Sequence, residues 1–177
     1  DPGRGLVLTL RSVPTGAEIA TRTVVAATKL TVPRARRPLV PRPELTARLD
    51  ADYRLALVSA PAGYGKTAML ASWATEHRDQ VAWLSCDPSD AEPARFTCGL
   101  LSAISARWPG VAGDAFARLE RDATDTYDAV VAVANGLAML DVSGVIVVDD
   151  LPLASPAPEI LTASGSVWRT SSSSSGA

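Results

Sequence analysis

Eight consecutive residues, Ala60-Pro61-Ala62-Gly63-Tyr64-Gly65-Lys66-Thr67, constrain the fold of this chain more than any other stretch. They match a phosphate-binding loop (Walker A), with Ala60 standing where the pattern has its first glycine. Such a loop works in one setting, with a strand running into it and a helix leaving it. The apolar run 55–59 precedes the loop and a helical pattern starts near Gly65, so a strand–loop–helix unit is predicted. The underlying physics is anion capture. Successive backbone N–H groups of a tight loop turn inward, and the positive end of the following helix points at the same place. Gly63 and Gly65 let the backbone approach oxygens that a Cβ would block. Lys66 is placed to reach β- and γ-phosphates as a point charge. Ala68, next in the helix, is counted with the loop among the nucleotide-binding residues, and the hydroxyl of Thr67 is a hard-oxygen ligand of the kind Mg²⁺ prefers.

The bulk properties agree with a globular core. A length of 177 residues suits one domain, and 47% apolar with 20% charged residues are values of a folded chain. A net charge of −2 argues against a dedicated nucleic-acid-binding domain, whose footprint is a strong basic excess. There is no run of eighteen apolar residues, so no membrane span is expected. Residues 1–28 do not read as a signal peptide, because Arg11, Glu18 and Arg22 break their apolar stretches. Cys86 and Cys98 lack metal-ligand spacing and are read as reduced, buried thiols of a cytoplasmic protein.

Along the chain, residues 6–10 are a short strand candidate with no tie to chemistry. From 22 to 48 the composition turns basic and proline-rich. Lys29, Arg34, Arg36, Arg37, Arg42 and Arg48 face a single Glu44, and Pro33, Pro38, Pro41 and Pro43 favour an extended path before a short helix over 44–49. This stretch is either a nucleic-acid arm or a segment packed beside a nucleotide site. The missing aromatic interleaving favours the second. The run Leu55-Ala56-Leu57-Val58 is predicted to be a strand covered on both faces. Val81-Ala82-Trp83-Leu84 is a second strand. Asp90 is read as the N-cap of a helix that carries Phe96, Leu100, Leu101, Ile104 and Trp108 at helical spacing and stops at Pro109-Gly110. A further helix is expected from about Tyr127 to Leu140, and Val145-Ile146-Val147-Val148 is the third strand. Helices alternating with apolar strands imply an α/β fold with a parallel sheet, in which ligands bind beyond the carboxyl ends of the strands. The loop and Asp149-Asp150 both lie at such ends.

Asp149-Asp150 therefore reads as the acidic partner motif (Walker B). Asp149 would hold Mg²⁺, and Asp150 would orient or deprotonate an attacking water. Other tempting residues have plainer readings. His77 sits near a helix end, where the helix dipole accounts for it. Trp73, Trp83, Phe96 and Trp108 fit core periodicity better than base stacking. Asp87 and Asp90 read as loop and cap residues. Tyr64 either touches phosphate or ribose or is simply an exposed aromatic.

Several of these residues together resemble a known family. Residues 29–108 are similar to the nucleotide-binding domain of MalT-like, LuxR-family large ATP-binding transcriptional regulators, which belong to the signal-transduction ATPases with numerous domains. The likeness runs through Lys29-Leu30, Leu39-Val40-Pro41-Arg42-Pro43, the loop with Leu57-Val58-Ser59 before it, Val81-Ala82-Trp83-Leu84-Ser85, Asp87-Pro88-Ser89-Asp90 and Pro93-Ala94-Arg95-Phe96. It resumes at 145–150 and covers roughly two thirds of the chain. The resemblance implies an ASCE/AAA-like P-loop NTPase fold, a parallel sheet with flanking helices, and an ATP/ADP switch. It implies that Val40, Pro41 and Arg42 line the adenine pocket and that the longer parent self-associates. It also implies that DNA is bound by a carboxy-terminal helix-turn-helix absent from these residues.

The chain departs from that pattern after Asp150. The family continues with a helix, a strand and a sensor arginine, whereas residues 151–177 are rich in Pro, Ser, Ala and Gly, with a serine run at 171–175. Arg169 follows no convincing strand and is not assigned as the sensor. The expected organisation is an ill-defined extension over 1–28, an adenine-side basic segment over 29–54, a partial P-loop core over 55–150 that is incomplete after the acidic strand, and a disordered tail over 151–177. The expected function is an ATP-binding, slowly hydrolysing switch module of a regulator, as a truncated piece. The alternatives are a small P-loop phosphotransferase and a remnant that binds nothing.

Overall fold

The computed structural model describes residues 5–6, 25–34, 41–50, 56, 58–140 and 144–152. Two five-residue apolar runs form its sheet. Strand β1 is the pair Gly5–Leu6, β2 is Val81–Ser85 and β3 is Val145–Asp149. The sheet order is β1-β3-β2, and both pairings are parallel. The β2–β3 register runs from Val81 opposite Val145 to Ser85 opposite Asp149. It is extended at the foot by the Val145 amide on the Gln80 carbonyl (2.7 Å) and at the top by the Cys86 amide on the Asp149 carbonyl (2.8 Å). Ser85 and Asp149 therefore end level at the carboxyl edge, where the site lies.

Parallel neighbours need a crossover, and here three helices make it: α3 (Pro93–Arg107), α4 (Gly113–Arg121) and α5 (Thr126–Met139). Phe96, Leu100, Leu101 and Ile104 lie on the buried stripe of α3, which packs against β2 and α5. Thr97 and Ser102 are fully buried on the same helix, and their hydroxyls donate to the carbonyls of Pro93 and Cys98 (2.9 and 2.7 Å), so neither polar group is left unpaired. Before the crossover come α1 (Pro43–Leu49) and α2 (Lys66–Glu76), and 3-10 turns occupy Ala27–Leu30 and Pro88–Ala91.

The expected α/β class with a parallel sheet and flanking helices is present. The second and third strands and the four expected helices fall within a residue or two of their predicted bounds. Trp73, Trp83, Phe96 and Trp108 are core residues, and the Leu70 and Trp73 side of α2 is buried with Met69 packed beside it.

Four expectations change. The N-cap of α3 is Glu92, whose carboxylate accepts the amides of Ala94 and Arg95 (2.9 Å each). Asp90 instead closes a capping box with Asp87 around the preceding 3-10 turn. Cys86 is buried as expected, but Cys98 is only partly so. Helix α4 lies in a segment for which no element was predicted. Lastly, the run before the loop is not a covered strand where it is described. Ala56 is exposed, Val58 is half-buried, and neither pairs; residues 55 and 57 lie outside the described set. A strand exists only through its ladder, and on the edge of β3 facing away from β2 the described pairing is that of Gly5–Leu6 with Val148 and Asp149. Residues 7–10 of the first strand candidate, the tail 153–177 and Val40 also lie outside the described residues.

Candidate functional site

The loop enters α2 through two left-handed residues, Gly63 (φ 84°) and Gly65 (φ 76°). A Cβ at either position would meet nothing within 4 Å, so the glycines are needed for their backbone angles rather than for protein packing. Gly65 is the N-cap of α2, and among the described residues no side chain caps the helix. The first-turn amides of Lys66, Thr67 and Ala68 thus keep their anion-seeking character. Residues 61–65 are exposed, Tyr64 by 62%. The Lys66 ammonium folds back on the loop, donating to the carbonyls of Ala60 (2.6 Å) and Pro61 (3.1 Å).

At the other side of the site, β3 delivers Asp149 to the carboxyl edge. It is 2% exposed, and its Oδ1 accepts the Thr67 hydroxyl at 2.9 Å. Burial lifts its carboxyl to about 6 from the usual 3.8; the Thr67 bond opposes this, the neighbouring Asp150 charge adds to it, and Lys66 opposes it. Asp150 follows in the left-handed region (φ 55°), an uncommon conformation outside glycine, and is exposed.

A cavity of about 970 Å³ runs from the loop along α2. It is lined by Ala62, Gly63, Gly65, Lys66, Thr67, Ala68 and Asp150, and on a second side by Val32, Pro33 and Arg34. A smaller one of about 470 Å³ shares Gly65 and Lys66 with the first and includes Arg42, Arg48, Ala60, Tyr64 and Met69. Pro41 is exposed and lines neither cavity. The loop, Lys66, Thr67, Asp149 and Asp150 are thus brought together, and Arg42 lines the smaller cavity with Ala60, Tyr64 and Lys66.

The donor set fits a hard cation. Thr67 and Asp149 offer adjacent oxygens, and among the described residues no three His, Cys, Asp or Glu side chains gather as a protein cage. That is the pattern of Mg²⁺, which keeps water and phosphate ligands and takes one or two from the protein.

Sequence reasoning missed one polar cluster. The Lys29 ammonium sits between Asp90 Oδ2 (2.5 Å) and Asp87 Oδ2 (2.8 Å), and Asp90 is 5% exposed. Asp90 Oδ2 also accepts the Asp87 amide (2.7 Å). Lys29 pulls the Asp87 carboxyl down to about 2, helped by Ser89. Burial pushes the neighbouring Cys86 thiol well above its ordinary range, so it is no nucleophile. The spacing Asp87-Pro88-Ser89-Asp90 could have signalled the capping box. The Lys29 partner, 61 positions from Asp90, had no local signal. His77 is structural: it stacks on Trp73 (centroids 4.6 Å apart), its Nδ1 donates to the Trp73 carbonyl (3.0 Å), and it lies 3.4 Å from Asp50, which also accepts the Trp73 indole N–H at 2.7 Å.

A parallel α/β sheet with a glycine loop opening a helix at its carboxyl edge is compatible with the P-loop class. Part of the chain is more specifically similar to named regulators. It is 50% identical over 54 residues to the HTH-type transcriptional regulator MalT of Yersinia enterocolitica, 30% of this chain and 6% of the relative. It is 48% identical over 65 residues to that of Serratia proteamaculans (36% and 7%) and 43% identical over 67 residues to that of Cronobacter sakazakii (37% and 7%). The resemblance to MalT-like, LuxR-family regulators therefore stands as one to a part of such proteins, over about a third of this chain rather than two thirds. The chain matches less than a tenth of those relatives' length. It matches no model of a known protein family and no solved structure. No helix among the described residues is long and apolar enough to cross a membrane.

Proposed function

We propose that this chain carries the nucleotide-binding switch module of a MalT-like transcriptional regulator, an ASCE/AAA-type P-loop NTPase core that takes ATP or ADP with Mg²⁺. The observation that carries the reading is the 2.9 Å bond from Thr67 to Asp149. Two side chains 82 positions apart, both chosen on sequence grounds as ligands of one ion, stand side by side at the start of α2.

In this reading the amides from Ala60 to Ala68 cradle the phosphates. Lys66 exchanges the carbonyls of Ala60 and Pro61 for phosphate oxygens, a trade of neutral for charged acceptors that strengthens its bonds. Thr67 and Asp149 hold Mg²⁺, which neutralises charge on the phosphoryl oxygens when bound. Asp150, exposed on the same cavity, orients or deprotonates water for slow hydrolysis. Val40, Pro41 and Arg42 take the base side, for which the support is Arg42 on the smaller cavity. DNA contact is assigned to a helix-turn-helix outside these residues, and self-association to the longer parent. The division at 28/29, 54/55 and 150/151 is part of the same proposal.

Equilibrium titration of ATP and ADP, with and without Mg²⁺, into the chain and its Lys66→Ala variant tests it. Removal of Lys66 should weaken ATP by tenfold or more, the worth of about one charge-assisted bond. Equal affinity of the two proteins defeats the assignment. Thermal stabilisation gives a second check, since ligand at a hundred times its Kd adds about 2.7 kcal/mol.

A further inference from the structure

The large cavity has two walls of different origin. One is the loop and α2; the other is the segment Val32-Pro33-Arg34, which reaches the site from far away in sequence. That segment is anchored. Leu30 is buried in the core, and Lys29 is held between Asp87 and Asp90 just past the end of β2. The anchor is tied to the acidic strand as well, because the Cys86 amide donates to the Asp149 carbonyl. Arg34 is five positions from Lys29, a reach of at most about 17 Å, so the anchor sets where Arg34 stands.

Among the described residues Arg34 has no ion pair, and it is an exposed residue that lines the cavity. Arg78, the third cation on this cavity, lies past the C-cap of α2, a helix that rises about 15 Å from Lys66 to Glu76. That is beyond the span of a bound polyphosphate, which leaves Lys66 and Arg34.

We propose that Arg34, positioned by the Lys29–Asp87–Asp90 clamp, is a second cation for the polyphosphate of the ligand and makes the site discriminate by phosphate number. The inference rests on the nucleotide reading of the loop. A planar guanidinium suits phosphate oxygens, and each added phosphate adds charge for it to meet, so its worth grows from mono- to triphosphate. Lys29 is a positioning residue that acts through Arg34.

The test compares ATP and AMP, each measured by displacement of a fluorescent ATP analogue, on the full chain at low and at physiological salt. The exposed Arg34→Gln change should weaken ATP about tenfold and AMP by less than twofold, with the difference shrinking as salt rises. The pair Lys29→Met with Asp90→Asn removes the clamp without stranding a buried charge. It should reproduce the loss, and adding Arg34→Gln to it should cost nothing more. Equal losses for ATP and AMP, or none, overturn the role of Arg34. A triple variant whose loss is the product of the separate losses overturns the positioning role of Lys29. Lys66→Ala keeps the two readings apart. If it loses ATP while Arg34→Gln does not, the loop reading stands and this inference falls; if it binds like the parent, the loop reading itself falls.

Discussion

Replacing Asp149 by Asn separates what the site costs the fold from what it does. The carboxyl is 2% exposed, and burial raises it from 3.8 to about 6. A raised acid means that the native chain holds this proton more tightly than the unfolded chain does. Well below pH 4 both states are protonated and no penalty exists. Between about pH 4 and 6 the unfolded state ionises first, so stability falls as pH rises, and above about 6 the full penalty is present. A shift of about two units at 1.36 kcal/mol each amounts to about 3 kcal/mol. Asn has the same shape, carries no charge to desolvate, and its Oδ1 still accepts the Thr67 hydroxyl. Asp149→Asn should therefore match the parent near pH 4 and exceed it by on the order of 2–3 kcal/mol at pH 8. Urea unfolding followed by the fluorescence of the buried Trp73, Trp83 and Trp108 measures this. With m near 2 kcal/mol/M the midpoint should rise by about 1 M at unchanged m. Other groups titrate over the same range, so the quantity to follow is the difference between the two proteins. A difference that stays flat from pH 4 to 8, or a variant less stable at pH 8, refutes the buried-charge reasoning. The same substitution should abolish any strengthening of ATP binding by Mg²⁺, which would make it a stability gain taken at the expense of function.

Other perturbations have equally definite outcomes. A Cβ on Gly144 would stand 2.1 Å from the Trp108 ring and 3.0 Å from the Gln80 carbonyl; Gly144→Ala should cost at least 1–3 kcal/mol in chemical denaturation and expose Trp108 to quenchers. Asp150 adopts φ 55°, so Asp150→Gly should leave the unfolding midpoint near that of the parent, whereas Asp150→Val should lower stability by about 1–2 kcal/mol. Hydrolysis should be lost in both, with ATP binding retained. Lys29→Met strands the carboxylate of Asp90, 5% exposed, and should cost about 3 kcal/mol; adding Asp90→Asn should recover part of that in a denaturant midpoint, and no recovery would mean the ion pair is not what Lys29 supplies.

Local grammar accounts for the elements that were readable in advance. The runs at 81–85 and 145–149 are short, apolar and β-branched or aromatic, and a chain segment of that kind is stable only when covered. Pro109-Gly110 ends α3 wherever the rest of the chain lies. The paired glycines of the loop demand left-handed backbone, and Gly63 and Gly65 both have it. Even the approach of Thr67 to Asp149 was foreshadowed, because parallel strands bring their carboxyl ends to one edge. By contrast, α4 escaped notice. Its signal was nonetheless present: Ala112, Ala115, Phe116 and Leu119 recur at helical spacing on the side turned to the core, with charged residues between them.

What residue order alone decided is therefore what short-range sterics and burial decide: the loop, the helix behind it, the two covered strands, and the acid at the end of one of them. The tertiary structure decided everything that needs a distant partner. Which segment pairs beside β3 is such a case: opposite Val148 and Asp149 it is Gly5–Leu6, from the other end of the chain. Whether Asp90 caps a helix or clamps a lysine depends on Lys29, 61 positions away. Hydrogen-bond ladders and ion pairs are satisfied by whatever the fold brings within about 3 Å, and no local pattern encodes that distance.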